Sequence, residues 1–153
     1  MTAGPTYCNS IPIDAPASAV WAFLTTPSLI QRWMWDSPLE IHCGWTTGSP
    51  LVLRGNLHGM PFTNKGEVMT IEPERLLQYT QWSTLTGCAD VPENYCLLTF
   101  HLAEQAPRHT ILTLTQTRFF SEASYKHYEL YWNVTLPFLR RLVEESLPGQ
   151  PSM

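Results

Sequence analysis

Residues 66–82 have the sequence pattern of a β-hairpin, which restricts the chain to folds that contain an antiparallel sheet. Val68 and Ile71 suit a half-buried strand. Pro73 lacks an N–H and has a fixed φ, so it ends the first strand and begins a tight turn. Three residues of the next strand alternate onto one face: Leu77, Tyr79 and Gln81. A hairpin does not define a fold by itself, so the flanking elements must decide.

Short runs bounded by Gly, Pro or Asn predict the remaining strands. The predicted strands, including the two of the hairpin, cover residues 7–14, 39–43, 51–57, 62–72, 76–82, 95–103 and 110–119. Two short helices are predicted after the first strand, because Ala15-Pro16 and Thr26-Pro27 each place a proline in a first helical turn. The alternation of apolar and polar residues in the later strands is typical of antiparallel sheets with one buried face.

The hydrophobic period changes from strand to helix at about Glu122. One broad stripe of a helix from Glu122 to Leu147 carries Tyr125, Tyr128, Trp132, Leu136, Leu139, Leu142 and Val143. Ser121 is placed to cap this helix. A helix of this length spans ~39 Å at ~1.5 Å per residue, which is enough to cross a whole sheet.

This order predicts an α+β fold in which a curved antiparallel sheet of about six to seven strands wraps around the long C-terminal helix. A helix that does not fill such a sheet leaves a cavity beside it. The length of 153 residues favours a single domain over residues 1–153, with an ordered core of about 7–147 and a frayed tail from Pro148 to Met153.

Composition argues against several functional classes. The net charge is −4 and the basic residues are scattered, so we expect neither a nucleic-acid partner nor a polybasic membrane surface. No window approaches the ~20 apolar residues of a membrane span. The N-terminus lacks a signal-peptide pattern and the four cysteines lack CxxC spacing, so we expect a cytoplasmic protein with reduced thiols.

Motifs for catalysis and cofactor binding are missing from the sequence. It contains no GxSxG, P-loop, GxGxxG or HExxH pattern. The adjacent residues His42 and Cys43 would point to opposite faces of a strand and cannot easily share a metal ion. We therefore expect no cofactor, no metal site and no catalytic set.

The ordered set of residues resembles the helix-grip superfamily called START-like or SRPBCC. More narrowly, it resembles the family of activator-of-heat-shock-protein-90-ATPase homologues. The resemblance rests on Ile13, Ala15, Pro16, Val20, Trp21, Trp33, Gly66, Val68, Ile71, Pro73, Arg75, Leu76, Asp90, Pro92, Glu93, Asn94, Thr110, Leu112, Thr113, Leu114 and Trp132. It covers nearly everything from Tyr7 to Leu147. Gln81 stands about where many members carry a Trp.

The resemblance implies a helix-grip fold and a cavity that binds a hydrophobic small molecule of lipid or polyketide type. Some members of the superfamily are aromatase/cyclases, so the first alternative is a cyclase or hydrolase-like enzyme. One eukaryotic branch carries the domain in a co-chaperone, so the second alternative is stimulation of a heat-shock ATPase through a chaperone partner. We expect binding rather than catalysis, because no Asp, Glu or His clearly faces inward, and we expect a monomer or weak homodimer.

Alternation along the strands and the helical stripe predict which residues face the cavity. If Leu112 faces inward, so does each second residue after it up to Arg118. The predicted ligand-binding set is Trp33, Trp35, Tyr79, Gln81, Phe100, Leu114, Gln116, Arg118, Tyr128 and Trp132. Two alternatives stay open: Arg118 is solvent-exposed at its strand end, or the tryptophans of the 33–35 segment plug the core instead of contacting a ligand.

Overall fold

The structure, a computed structural model, describes residues 4–147. The frayed tail expected for residues 148–153 lies outside this range. The strands are β1 (Tyr7–Ile13), β2 (Glu40–Cys43), β3 (Pro50–Leu57), β4 (Met60–Glu72), β5 (Leu76–Ser83), β6 (Cys96–Ala106) and β7 (His109–Thr117). The helices are α1 (Ala17–Thr25), α2 (Pro27–Met34) and α3 (Glu122–Glu145), with short 3₁₀ turns at Thr84–Thr86 and Pro92–Asn94.

The strands form one antiparallel sheet of seven strands in the order β1-β7-β6-β5-β4-β3-β2. Five of the six neighbouring pairs are consecutive in the chain. The exception is β1, which pairs with β7 in a register that sets Ile11 opposite Leu112. The predicted α+β class, the two short helices and the long C-terminal helix across the sheet are confirmed.

Helix α3 packs on the concave face through its C-terminal half. Its N-terminus is capped as expected, since the Ser121 side chain accepts a hydrogen bond from the Ser124 N–H at 3.0 Å. The buried residues of α3 all lie from Trp132 onwards: Trp132, Thr135, Leu136, Leu139 and Val143. They share one core with inward residues of β1, β6 and β7 such as Ile13, Phe100 and Leu114. The residues of α3 before Trp132 are at most partly buried, although Tyr125, Tyr128 and Tyr131 pack against this core.

Strands β4 and β5 approach each other unusually closely at Gly66. A Cβ atom added there would lie 1.6 Å from the Thr80 carbonyl oxygen, so no other residue fits without moving the backbone. A register shift follows between Val68 and Thr70. A bulge of this kind increases local twist and curves the strand.

Candidate functional site

A cavity of about 520 Å³ lies between the sheet and the first half of α3. Its floor is formed by residues of β3, β4 and β5 that alternate onto the concave face of the sheet. On β5 these are Tyr79, Gln81 and Ser83. The helix contributes Tyr128, Tyr131 and Trp132, which lie one turn apart or adjacent on one side.

The side wall of the cavity is apolar. It comes from the end of α2, the segment that follows it, and the strands β3 and β4. Its residues are Met34, Trp35, Leu39, Leu53, Leu57 and Phe62. Trp35 packs edge-on against Phe62 with ring centroids 5.2 Å apart, and its indole N–H donates to the Asn56 carbonyl at 3.2 Å. Trp35 is thereby fixed in position, with an aromatic surface at the cavity.

The mouth of the cavity is formed by the 3₁₀ turn after β5 and the segment before α3. Leu85 and Phe120 line it and are each 42% exposed. The loop behind the turn is attached to the sheet, because Asp90 forms an ion pair with Lys65 and accepts a hydrogen bond from the Tyr95 hydroxyl at 2.6 Å. These hydrogen bonds lower the pKa of Asp90. Leu85, on one side of the opening, thus belongs to a connection that is attached to the sheet.

Two of the tyrosine hydroxyls at the cavity have protein partners. The Gln81 amide Nε2 donates to the Tyr128 hydroxyl oxygen at 3.1 Å. The Tyr131 hydroxyl donates to the Met34 carbonyl oxygen, which joins α3 to the end of α2. Burial raises the pKa of both tyrosines well above the ordinary value of a phenol. Both hydroxyls therefore stay protonated at neutral pH.

One polar atom of the cavity-lining residues has no partner within residues 4–147. The side-chain oxygen Oδ1 of Asn64 is buried and accepts no hydrogen bond. The indole Nε1 of Trp82, which lies outside the lining, is likewise buried without a partner. Tyr79 is only 4% exposed, and burial raises its pKa, so its hydroxyl stays protonated at neutral pH. A buried polar atom without a partner costs ~1–3 kcal/mol.

Charged side chains are missing from the cavity wall, as far as residues 4–147 show. The one histidine among the lining residues is His127, which is exposed at the mouth. The same residues contain no cluster of three or more His, Cys, Asp or Glu that could hold a metal ion. Chemically, the cavity offers aromatic and aliphatic contact together with a few neutral hydrogen-bonding groups.

Five residues of the predicted set line the cavity: Trp35, Tyr79, Gln81, Tyr128 and Trp132. Four others lie in the adjoining core instead: Trp33, Phe100, Leu114 and Gln116. Trp33 donates its indole N–H to the Phe23 carbonyl at 2.8 Å, which matches the alternative that it plugs the core. The buried amide of Gln116 accepts from the Trp132 indole N–H at 2.8 Å and so orients the ring that faces the cavity.

The inward orientation expected for Arg118 is wrong. Strand β7 ends at Thr117, and Arg118 takes a left-handed backbone conformation with φ of 63°. The alternation that correctly buries Gln116 therefore stops before Arg118, whose side chain is exposed outside the cavity. The open alternative, solvent exposure at the strand end, holds.

Asn64, Ser83 and the residues at the mouth are lining residues that were not predicted from the sequence. Asn64 was detectable, because it lies four positions before the inward-facing Val68 on the same strand and so shares its face. The mouth residues, such as Leu85 and Phe120, had no signal, because they lie in irregular segments without a period.

The chain is similar to known proteins in both sequence and fold. Residues 14–144 match the family model described as Activator of Hsp90 ATPase homolog 1-like protein. No protein of curated function matches the sequence significantly. Among residues 4–147, no helix has both the length and the apolar character needed to cross a membrane.

Many solved structures have a similar fold. ChR145 from Cytophaga hutchinsonii is 30% identical, with a TM-score of 0.80 over 95% of this chain and 97% of that one. CalU16 from Micromonospora echinospora is 23% identical, with a TM-score of 0.70 over 90% of this chain and 75% of its own. The Aha1 dimer from Colwellia psychrerythraea is 18% identical, with a TM-score of 0.71 over 92% and 97%. The last two likenesses show the fold alone. Because the family model spans most of its length, this chain belongs to the family of Activator of Hsp90 ATPase homolog 1-like proteins and has the SRPBCC-type fold.

Proposed function

We propose that this protein binds an apolar or aromatic small molecule, of lipid or polyketide type, in the cavity between the sheet and α3. The observation that carries the proposal is the cavity itself, about 520 Å³ in volume and walled mainly by apolar and aromatic side chains. This size lies within the ~300–1,000 Å³ of small-molecule sites in proteins.

The arrangement of the rings favours a ligand with an aromatic body. Tyr131 and Trp132 lie edge to face with centroids 4.9 Å apart, and Trp35 faces them from the other wall. Such rings offer both faces and edges to an inserted ring system. Hydrogen bonds from Trp35 and Trp132 to protein groups hold the rings in place before a ligand arrives. Preorganised side chains reduce the entropy lost on binding.

Binding is favoured over catalysis by the chemistry of the wall. General acid–base catalysis needs a group whose pKa lies near the working pH and which reaches the substrate. The raised pKa values of Tyr79 and Tyr128 make these phenols poor bases. His127 stands exposed at the mouth instead of inside. The co-chaperone alternative needs a protein-binding surface and stays a prediction of the family resemblance.

Fluorescence titration with pyrene tests the proposal, because pyrene is a rigid apolar ring system whose emission reports its surroundings. We expect saturable one-to-one binding to the wild-type protein. Ser124→Trp, which places a large ring at the cavity wall, should weaken binding by about tenfold or more. Native mass spectrometry of the purified protein adds an independent test, since a ligand taken up from the cell would appear as a discrete added mass.

The matched control is Leu130→Trp, which adds the same ring to α3 at a position that is 70% exposed. This variant should bind pyrene as the wild type does. Equal affinity of all three proteins, or weakening by both substitutions alike, would place the probe outside the cavity and contradict the proposed function.

A further inference from the structure

Tyr128 carries its hydroxyl from α3 across to the floor of the cavity. The ring has two aromatic neighbours, with centroid distances of 6.1 Å to Phe119 and 6.5 Å to Tyr131. The hydroxyl oxygen lies 3.1 Å from Nε2 of Gln81 on β5. Tyr128 and Gln81 are both only partly buried and both line the cavity, so this hydrogen bond lies in the cavity wall.

The Tyr128 hydroxyl has a proton left to donate. A phenol accepts through its oxygen atom and donates its one proton. The Gln81 amide donates to the oxygen, and burial raises the pKa of Tyr128, so the phenol keeps its proton. The hydroxyl makes no other hydrogen bond with residues 4–147, and Oε1 of the same amide does not accept from it. The proton therefore has no acceptor in this part of the protein.

Other hydrogen-bonded tyrosines in residues 4–147 use their hydroxyl differently. Each donates its proton to an oxygen atom of the protein, and these residues are Tyr7, Tyr95, Tyr125 and Tyr131. Tyr128 differs from all of them, because its hydroxyl only accepts. Polar groups in protein interiors are nearly always paired, so a free proton at the cavity wall is suited to an acceptor atom of a bound molecule.

The surroundings of this proton are neutral, which favours an uncharged acceptor. No Lys or Arg within residues 4–147 lines the cavity. Tyr79, two residues before Gln81 on the same face of β5, is a second buried phenol that stays protonated. A ligand carboxylate or phosphate would lose its hydration here without gaining a counter-charge. A carbonyl oxygen has lone pairs and no proton, so it would pair with the phenol without bringing a further donor that needs a partner.

We propose that the Tyr128 hydroxyl is a specificity-determining donor, and that the cavity takes uncharged ring compounds whose carbonyl oxygen accepts its proton. This inference rests on the proposed function, since it names the ligand class of the same cavity. The Gln81 N–H occupies one side of the phenol oxygen, so the proton points away from it. Aromatic ketones and quinones meet the requirement, whereas fatty acids and other anions do not.

The test compares two pyrenes of nearly equal shape. The substituent of 1-acetylpyrene has a carbonyl oxygen where that of 1-isopropenylpyrene has a methylene group. Each is used to displace pyrene from the wild-type protein and from Tyr128→Phe, which removes only the hydroxyl. We expect the ratio of the two affinities to favour 1-acetylpyrene about fivefold to tenfold more in the wild type than in the variant. Pyrene should still bind the variant.

Infrared spectroscopy gives a readout that a purely structural role of Tyr128 would not change. A hydrogen bond to a carbonyl oxygen lowers the stretching frequency of the carbonyl. The band of bound 1-acetylpyrene should therefore lie at a lower frequency in the wild type than in Tyr128→Phe. If the hydroxyl served only to join α3 to β5, its loss would lower the melting temperature and leave both the band and the affinity ratio unchanged.

Tyr125→Phe is the matched control, because it makes the same change on the same helix outside the cavity lining, where the hydroxyl donates to Glu129 at 3.1 Å. It should keep the wild-type affinity ratio. Equal ratios in the wild type and Tyr128→Phe, or the same loss in both tyrosine variants, would overturn the inference and leave the proposed function standing. Failure of every pyrene to bind the wild type would overturn both.

Discussion

Gln116 shows how one polar residue can fix the position of an aromatic ring. It has no exposed surface, and both ends of its amide are used. The carbonyl accepts the Trp132 indole N–H at 2.8 Å, and the amide nitrogen donates to the Cys96 sulfur at 3.4 Å. Burial raises the pKa of this thiol to about 11, so it stays neutral in the core. Trp132 therefore presents a defined surface to the cavity.

Replacing Gln116 by leucine should destabilise the protein by about 2–3 kcal/mol, because the buried indole N–H of Trp132 would lose its acceptor. Urea unfolding measures the change.

The double variant Gln116→Leu/Trp132→Phe should lose less stability than the sum of the losses in the two single variants, since the second change removes the unpaired donor. Gln105→Leu, at an exposed position of β6, is the control and should change the free energy of unfolding little. Strict additivity in the double variant would show that the hydrogen bond does not carry the effect.

Single residues also show where sequence reasoning reaches its limit. Strict alternation correctly placed Tyr79, Gln81 and Gln116 on the concave face, because a strand repeats every two residues. The same rule failed at Arg118, where the backbone leaves the strand with a positive φ. Nothing in the local sequence marks that change, since arginine has no preference for the left-handed region.

At the scale of elements, the close approach of β4 and β5 at Gly66 leaves no room for a side chain between the two backbones. Gly66→Ala should destabilise the protein by about 3 kcal/mol, because its Cβ would lie 1.6 Å from the Thr80 carbonyl oxygen and only backbone movement can relieve the overlap. Thermal or urea unfolding measures the loss.

The comparison variant is Gly59→Ala, in the β3–β4 turn. There a Cβ meets nothing within 4 Å, but φ is +87°, so the cost should be about 1–2 kcal/mol of backbone strain alone. If the two alanine variants lose equal stability, steric contact between β4 and β5 is not what requires glycine at position 66.

Element boundaries were more predictable than the site. The predicted strand at 62–72 corresponds to β4 (Met60–Glu72), and the helix at 122–147 corresponds to α3 (Glu122–Glu145). These elements are long and have a clear hydrophobic period, which tertiary contacts reinforce. The cavity wall depends instead on how far α3 reaches over the sheet and on the loops at the mouth. Both follow from long-range packing that no local period encodes.

The molecule as a whole is divided along α3 into a packed half and a half beside the cavity. Every buried residue of the helix lies between Trp132 and Val143, and none lies within residues 122–131. The part from Trp132 onwards supplies the fully buried core residues, whereas Tyr128 and Tyr131 in the part before it are only partly buried and line the cavity. Local stability follows the density of buried contacts, so the two halves should differ although they form one continuous helix.

Hydrogen exchange followed by mass spectrometry tests this division. Amides in residues 132–143 should exchange only through global unfolding, whereas those in residues 126–131 should exchange through local opening, at rates higher by about tenfold or more.

A bound pyrene would add contacts on the cavity side. It should slow exchange in residues 126–131 and in the 84–87 turn at the mouth, with little effect on residues 132–143. In Ser124→Trp, where the added ring takes the place of the ligand, protection should be high without pyrene. Uniform exchange along α3, unchanged by the probe, would mean that the cavity does not weaken the helix above it, and that ligand binding and local stability are not coupled in this fold.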